Sequence, residues 1–381
     1  MMTTTENLNI DVDSASGAAL FEVTKLGPLN LSNRLAVAPM TRVSANDDGT
    51  ANHSMQSYYR GFAAGGFGLI ITEALYTDQA YSQCYRQQPG MSSYAQAESW
   101  HETVQAVHQQ GSAIIAQLAH GGAISQFNQY ANNTVAPSAV KPLGQQMPFY
   151  YGEGDYAVPT EMSEQDIKDA IQGFADAALL AESAGFDGIE IHGANGYLLD
   201  QFLTTYTNQR QDQYGGSLSN RLRIHREVIR AIREVVRADF LVGIRFSQTK
   251  VNDSEYSWPE GEAAAKEIFS LMAECEVDFI HTTELTLDKP AFENSLSLAA
   301  LAKKYSGLPV IANGGVSDPS QTDSTLREES ADVIALGKIA LSNPDWPNAV
   351  RSGKALIPFD YALLAPIANL ANGQRYLAQY K

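Results

Sequence analysis

Cysteine is scarce: Cys84 and Cys275 are the only two in 381 residues. Two thiols cannot build a four-cysteine zinc site or hold an iron–sulfur cluster. No metal site is expected. A single disulfide is open on count, but free thiols in a reducing compartment are the expectation. Basic residues are also short. Lys and Arg number 26 against 43 Asp and Glu, a formal net charge of −17. A sequence-independent nucleic-acid binder needs the opposite excess to displace counterions. An anionic membrane surface would repel such a chain. Neither nucleic acid nor membrane is therefore an expected partner, and the charge reads as a solubility device. The opening segment MMTTTENLNIDVDSASGAAL has no basic region and no long apolar run. It reads as neither a secretory signal nor a membrane span. Residues 1–20 are expected to form a flexible tail, and a cytoplasmic location follows as the default.

Hydrophobic residues make up 44% of the chain and charged residues 18%, which suits a globular protein with a substantial core. Short apolar runs of strand length recur eight times. They begin at Arg34, Gly68, Ala113, Gly188, Phe240, Val277, Pro309 and Val333. Near-continuous apolar runs suit strands buried on both faces of a parallel sheet. Amphipathic stretches lie between them. The clearest runs from Ser163 to Gly185, where Ser163 can N-cap and Asp166 sits in the capping-box position. Ile167, Ile171, Phe174, Ala178 and Ala181 fall near helical spacing. A second stretch, Asn220–Arg237, has Leu222, Ile229, Ile232 and Val236 as its apolar stripe. Strand–helix units repeated eight times predict an α/β protein, a (β/α)8 TIM barrel, over residues 21–381 with a C-terminal extension. A doubly wound sheet is the alternative. Residues 121–162 and 196–219 are too long for ordinary connections, and such loops tend to be functional.

A barrel of this kind places its chemistry at the C-terminal ends of its strands. Pro39, Met40 and Thr41 end the first predicted strand, Ala74 the second and Gln117 the third. Gly314 and Gly315 follow the seventh, and Gly337 and Lys338 the eighth. Glycines there let backbone N–H groups approach an anion, and loops after strands seven and eight commonly hold phosphate. Arg245 ends a buried strand and needs an anionic or carbonyl partner, because burying it alone is expensive. A core carboxylate would serve, and so would a reduced flavin. The fourth strand ends in HGANGYLLDQFL, which places His192, Asn195 and Tyr197 within six residues. His and Asn can both donate toward one oxygen and polarise a carbonyl. Tyr197 can then supply a proton.

These residues resemble the Old Yellow Enzyme family of FMN-containing NAD(P)H:flavin oxidoreductases. The similarity runs from Leu26 to Val350. It includes ITEA at Ile71–Ala74, AQLAHGG at Ala116–Gly122, IEIHGANGYLLDQFL at Ile189–Leu203 and NQRQDQYGGSLSNRLR at Asn208–Arg223. The resemblance implies FMN as cofactor and NADPH or NADH as reductant. It implies reduction of an α,β-unsaturated carbonyl or nitroalkene by ping-pong hydride transfer. The carbonyl oxygen would rest on His192 and Asn195, and Tyr197 would protonate the α-carbon. Thr41, Ala74, Gln117, Arg245 and Gly314–Gly315 match flavin contacts, and Gly337–Lys338 match the phosphate turn. The family usually has arginine where this chain has Lys338. Lysine keeps the charge but gives up the bidentate fork. Family habit suggests a monomer or homodimer. The competing readings are another FMN- or sugar-phosphate-binding barrel enzyme and a non-catalytic flavin-binding protein.

Overall fold

Short strands buried on both faces can pair only with one another and with helices that cover them. The computed structural model describes residues 17–316, 318–328 and 330–380. Eight strands form a closed parallel barrel. They are β1 (Leu35–Val37), β2 (Leu69–Ile71), β3 (Ala113–Ala119), β4 (Gly188–His192), β5 (Leu241–Phe246), β6 (Phe279–Thr283), β7 (Val310–Asn313) and β8 (Val333–Leu336). β8 pairs back onto β1, with Ile334 opposite Leu35 and Leu336 opposite Val37. The expected barrel therefore holds over the doubly wound alternative. All eight predicted runs contain a strand, but most observed strands are shorter. The C-terminal ends of the runs are where the chain leaves the sheet to build loops.

Eight helices surround the barrel: α1 (His53–Ala64), α2 (Tyr94–His108), α3 (Glu164–Ser183), α4 (Arg223–Arg233), α5 (Glu262–Glu274), α6 (Leu298–Ser306), α7 (Pro319–Arg327) and α8 (Trp346–Arg351). The capping box that begins α3 is complete. The Asp166 amide donates to Ser163 Oγ at 3.2 Å, and the Ser163 amide to Asp166 Oδ2 at 2.8 Å. The stretch expected as one helix from Asn220 is broken at Leu222, with a short turn of helix at Leu218–Arg221 before α4. It ends at Arg233, so Val236 lies beyond it.

Side chains inside the barrel come from every second residue of each strand. The lower layers are apolar, with Ala36, Leu69, Ile115, Leu241, Phe279, Ile311 and Val333 in one cluster. Gly243 belongs here because a Cβ would lie 2.1 Å from the Phe279 ring. A hairpin, Thr24–Leu26 with Leu29–Leu31, closes the lower end and adds Leu26 and Leu31 to that cluster. Of the expected tail, residues 1–16 lie outside the described residues. Residues 17–20 are packed onto the barrel, because Leu20 is buried and the Ala19 amide donates to Asp323. Both cysteines are free.

Phe174 on α3 is fully buried against the barrel. Phe174→Ala should lower stability by roughly 3–5 kcal/mol, and Ser163→Ala by only about 1 kcal/mol. Denaturant midpoints of the two variants should separate accordingly; equal losses would contradict the packing described.

Candidate active site

Above the apolar layers the inward positions turn polar. Gln117 on β3 stands beside Glu190 on β4, His192 beside Arg245 on β5, Arg245 beside His281 on β6, and Thr283 beside Asn313 on β7. Such groups can be buried only if they bond one another. Glu190 is the hub, fully buried. It accepts from Gln117 Nε2 at 2.7 Å and from His281 Nδ1 at 2.6 Å. Burial works against its charge, but His281, Arg245 and Gln117 outweigh burial and hold its pKa below the ordinary value. Burial keeps His281 and His192 neutral, with Arg245 adding to the effect on both. A carboxylate only accepts, so the His281 proton is on Nδ1. Arg245 is brought down to about 10 by burial and remains a cation at neutral pH. Its Nη2 donates to Asn313 Oδ1 at 2.9 Å, while its buried Nε has no partner.

Gln117, His192, Arg245 and Asn313 from this layer line one cavity of about 1090 Å3. That is at the upper end for small-molecule sites. Every site residue named from the sequence lines it: Pro39, Met40, Thr41, Ala74, Gln117, His192, Asn195, Tyr197, Arg245, Gly314, Gly315, Gly337 and Lys338. His192 Nδ1 is buried without a partner, and its ring lies 4.8 Å from that of Tyr197. Asn195 has a φ of +62°. It is held there by its amide donating to Ser247 Oγ at 2.8 Å and its carbonyl accepting from Val251 at 3.1 Å. Tyr197 is raised well above the usual phenol range, mainly by burial. Its hydroxyl lies 2.6 Å from that of Tyr85.

The residues that brace this face are not marked in the sequence. Asp200 Oδ2 accepts from the Gly196 amide and Oδ1 from Lys250 Nζ, both at 2.6 Å. Lys250 also sits 4.5 Å over the Tyr256 ring. This buried ion pair ties the loop that carries Asn195 and Tyr197 to the loop after β5.

A family model described as NADH:flavin oxidoreductase / NADH oxidase matches residues 19–356. The chain belongs to that family. It is FMN-dependent, and the Old Yellow Enzyme resemblance holds within it. NADH oxidase of Thermoanaerobacter brockii is 32% identical over 349 residues, which cover 88% of this chain and 51% of that protein. This chain thus spans about half the length of that relative. A probable flavin mononucleotide-dependent alkene reductase of Leishmania infantum is 32% identical over 338 residues, 87% of this chain and 90% of the relative. The solved structure of the old yellow enzyme homologue from Zymomonas mobilis fits with a TM-score of 0.81 at 30% identity. The match covers 89% of this chain and 94% of that one.

The cavity suits this family's cofactor. Arg245 Nε is an unpartnered donor beneath it, and the Gln117 amide has one N–H and its carbonyl left after bonding Glu190. Backbone packing shapes the end of the cavity formed by the loops after β7 and β8. A Cβ at Gly314 would meet the Glu284 carbonyl oxygen at 2.8 Å, and one at Gly315 the Leu285 oxygen at 2.6 Å. The glycines therefore admit the loop after β6, whatever they do for an anion. Lys338 donates to the Tyr361 hydroxyl at 2.7 Å and lies 5.0 Å over that ring. The C-terminal extension thus steadies this lysine. Glu284, also on the cavity wall, was not foreseen; burial raises it to about 7.

Lys250→Met strands a buried carboxylate and should cost about 3–5 kcal/mol, whereas adding Asp200→Asn should recover much of that loss. Thermal unfolding of the single and double variants checks this; a double variant no more stable than the single would refute the account.

Proposed function

We propose that the chain reduces the C=C bond of α,β-unsaturated carbonyl compounds or nitroalkenes, using NADPH or NADH. The observation that carries this reading is one cavity in which His192, Asn195 and Tyr197 stand beside Arg245 and Gln117. FMN, when bound, supplies hydride acceptance from the nicotinamide and hydride donation to the alkene. Gln117, Thr41 and Ala74 would contact its ring, and Gly314, Gly315, Gly337 and Lys338 its ribityl phosphate arm. Arg245 places a fixed cation at the floor, which favours an electron-rich ligand above it.

His192 and Asn195 hold the substrate oxygen. His192 is neutral, so it donates one N–H and leaves the net charge of the site unchanged. Together with an N–H of the Asn195 side chain it polarises the carbonyl and stabilises the enolate that hydride addition creates. Tyr197 then donates its proton to the α-carbon. Its raised pKa keeps it protonated until that step. Coenzyme and substrate share one cavity, which supports alternating occupancy and ping-pong kinetics. The alkene-reductase name carried by the Leishmania relative agrees with this substrate class.

Tyr197→Phe should leave flavin reduction by NAD(P)H intact and slow reduction of cyclohexenone by about 10²-fold or more. Stopped-flow absorbance of the two half-reactions tests this, and unchanged enone turnover would sink the proton-donor role. In the double variant His192→Ala, Asn195→Ala, the long-wavelength absorption band formed with a bound phenol should vanish. A wild-type band would show that the pair does not hold the ligand oxygen.

A further inference from the structure

We infer that Tyr85 is a positioning residue for the proton donor: its hydroxyl donates to the Tyr197 oxygen and holds the charge left there after proton transfer. The inference rests on the proposed role of Tyr197. The two hydroxyls lie 2.6 Å apart, and either could be the donor on distance alone. The cavity decides between them. Tyr197 lines it and Tyr85 does not. If Tyr197 donated to Tyr85, its only proton would point away from the substrate. With Tyr85 as donor, the Tyr197 proton is free to face the cavity.

The surroundings make this bond matter. Tyr197 sits in a cluster with Val43, Cys84, Ile124 and Tyr156, which offers little to solvate an anion. Burial drives the Tyr197 pKa up, and the Tyr85 hydrogen bond acts in the opposite direction. Tyr85 is itself well fixed. Its amide and that of Cys84 donate to Gln88 Oε1, and Gln88 Nε2 donates to the Ala74 carbonyl in the loop after β2. Its ring packs 4.7 Å from that of Tyr150.

The step balances. The Tyr197 O–H bond breaks and its electron pair stays on the oxygen. The enolate pair becomes the new α-carbon C–H bond. Tyr85 keeps its own proton and stabilises the phenolate. Water entering the cavity after product release returns a proton to Tyr197.

The test is Tyr85→Phe, which removes one hydroxyl and keeps the ring. Flavin reduction by NADPH and FMN affinity should stay within about twofold of wild type. Reoxidation of the reduced enzyme by cyclohexenone should slow about tenfold, the scale of one hydrogen bond to a charged group. Its solvent deuterium isotope effect should rise. Wild-type reoxidation with an unchanged isotope effect overturns the inference, and so does an equal loss in both half-reactions. Tyr197→Phe serves as the control. If that variant also keeps full enone turnover, the proton-donor reading fails. If it is slow while Tyr85→Phe is not, only the present inference fails. Should Tyr85→Phe not fold, 3-fluorotyrosine in place of Tyr85 gives a stronger donor and should speed reoxidation. An unchanged or slower rate there is equally fatal.

Discussion

The pairing of β8 with β1 fixes which side chains point into the barrel. Ile334 meets Leu35 and Ala335 meets Ala36, although the partners are some three hundred residues apart in the chain. Once the sheet is closed, parity is set for every strand, because a slip of one residue would exchange its two faces. Closure therefore puts Gln117, Glu190, His192, Arg245, His281 and Asn313 on the same side of the wall. The apolar layer below them, which includes Phe279 and Ile311, provides the support.

A buried polar layer survives only when its members satisfy one another. Here Glu190 does most of that. It orients the Gln117 amide, sets the His281 tautomer and offsets the charge of Arg245 through space. Two neutral histidines, one carboxylate and one guanidinium leave a floor with little net charge. The unpartnered nitrogens that remain, Arg245 Nε and His192 Nδ1, belong to residues that line the cavity. In the proposed reaction these are the groups that would meet ligand. Much of the site's orientation is thus in place before anything binds, which is the arrangement that electrostatic catalysis requires.

The upper face is built differently, from loops. Asn195 takes a left-handed backbone conformation, which is uncommon for a residue with a side chain. It is sustained by Ser247, Val251 and the buried Asp200–Lys250 pair. Tyr85, Tyr150 and Tyr197 pack together beside it. At the opposite end the C-terminal extension brings Phe359 and Tyr361 against Lys338. A lysine without the planar fork of arginine gains a fixed position from those rings.

The eight-fold alternation, the capping box at Ser163 and the HGANGYLLDQFL motif were legible in the sequence because each is a local pattern. Local position at the strand ends was enough to name thirteen residues that line the cavity, though not Glu284 or Tyr150. Glu190 and His281 were hidden because each sits in the middle of its strand and not at the strand end, and only closure of the barrel brings them within 2.6 Å. Lys250, Tyr85 and Tyr361 were invisible for a related reason. Their partners lie 50, 112 and 23 residues away, and no periodicity links such positions. The sequence by itself determined the strands, the helices and the chemical groups at the site. The tertiary structure alone decided which of those groups bond one another, and so which donors are left for a ligand, because hydrogen-bond partners across a barrel are set by register and not by spacing along the chain.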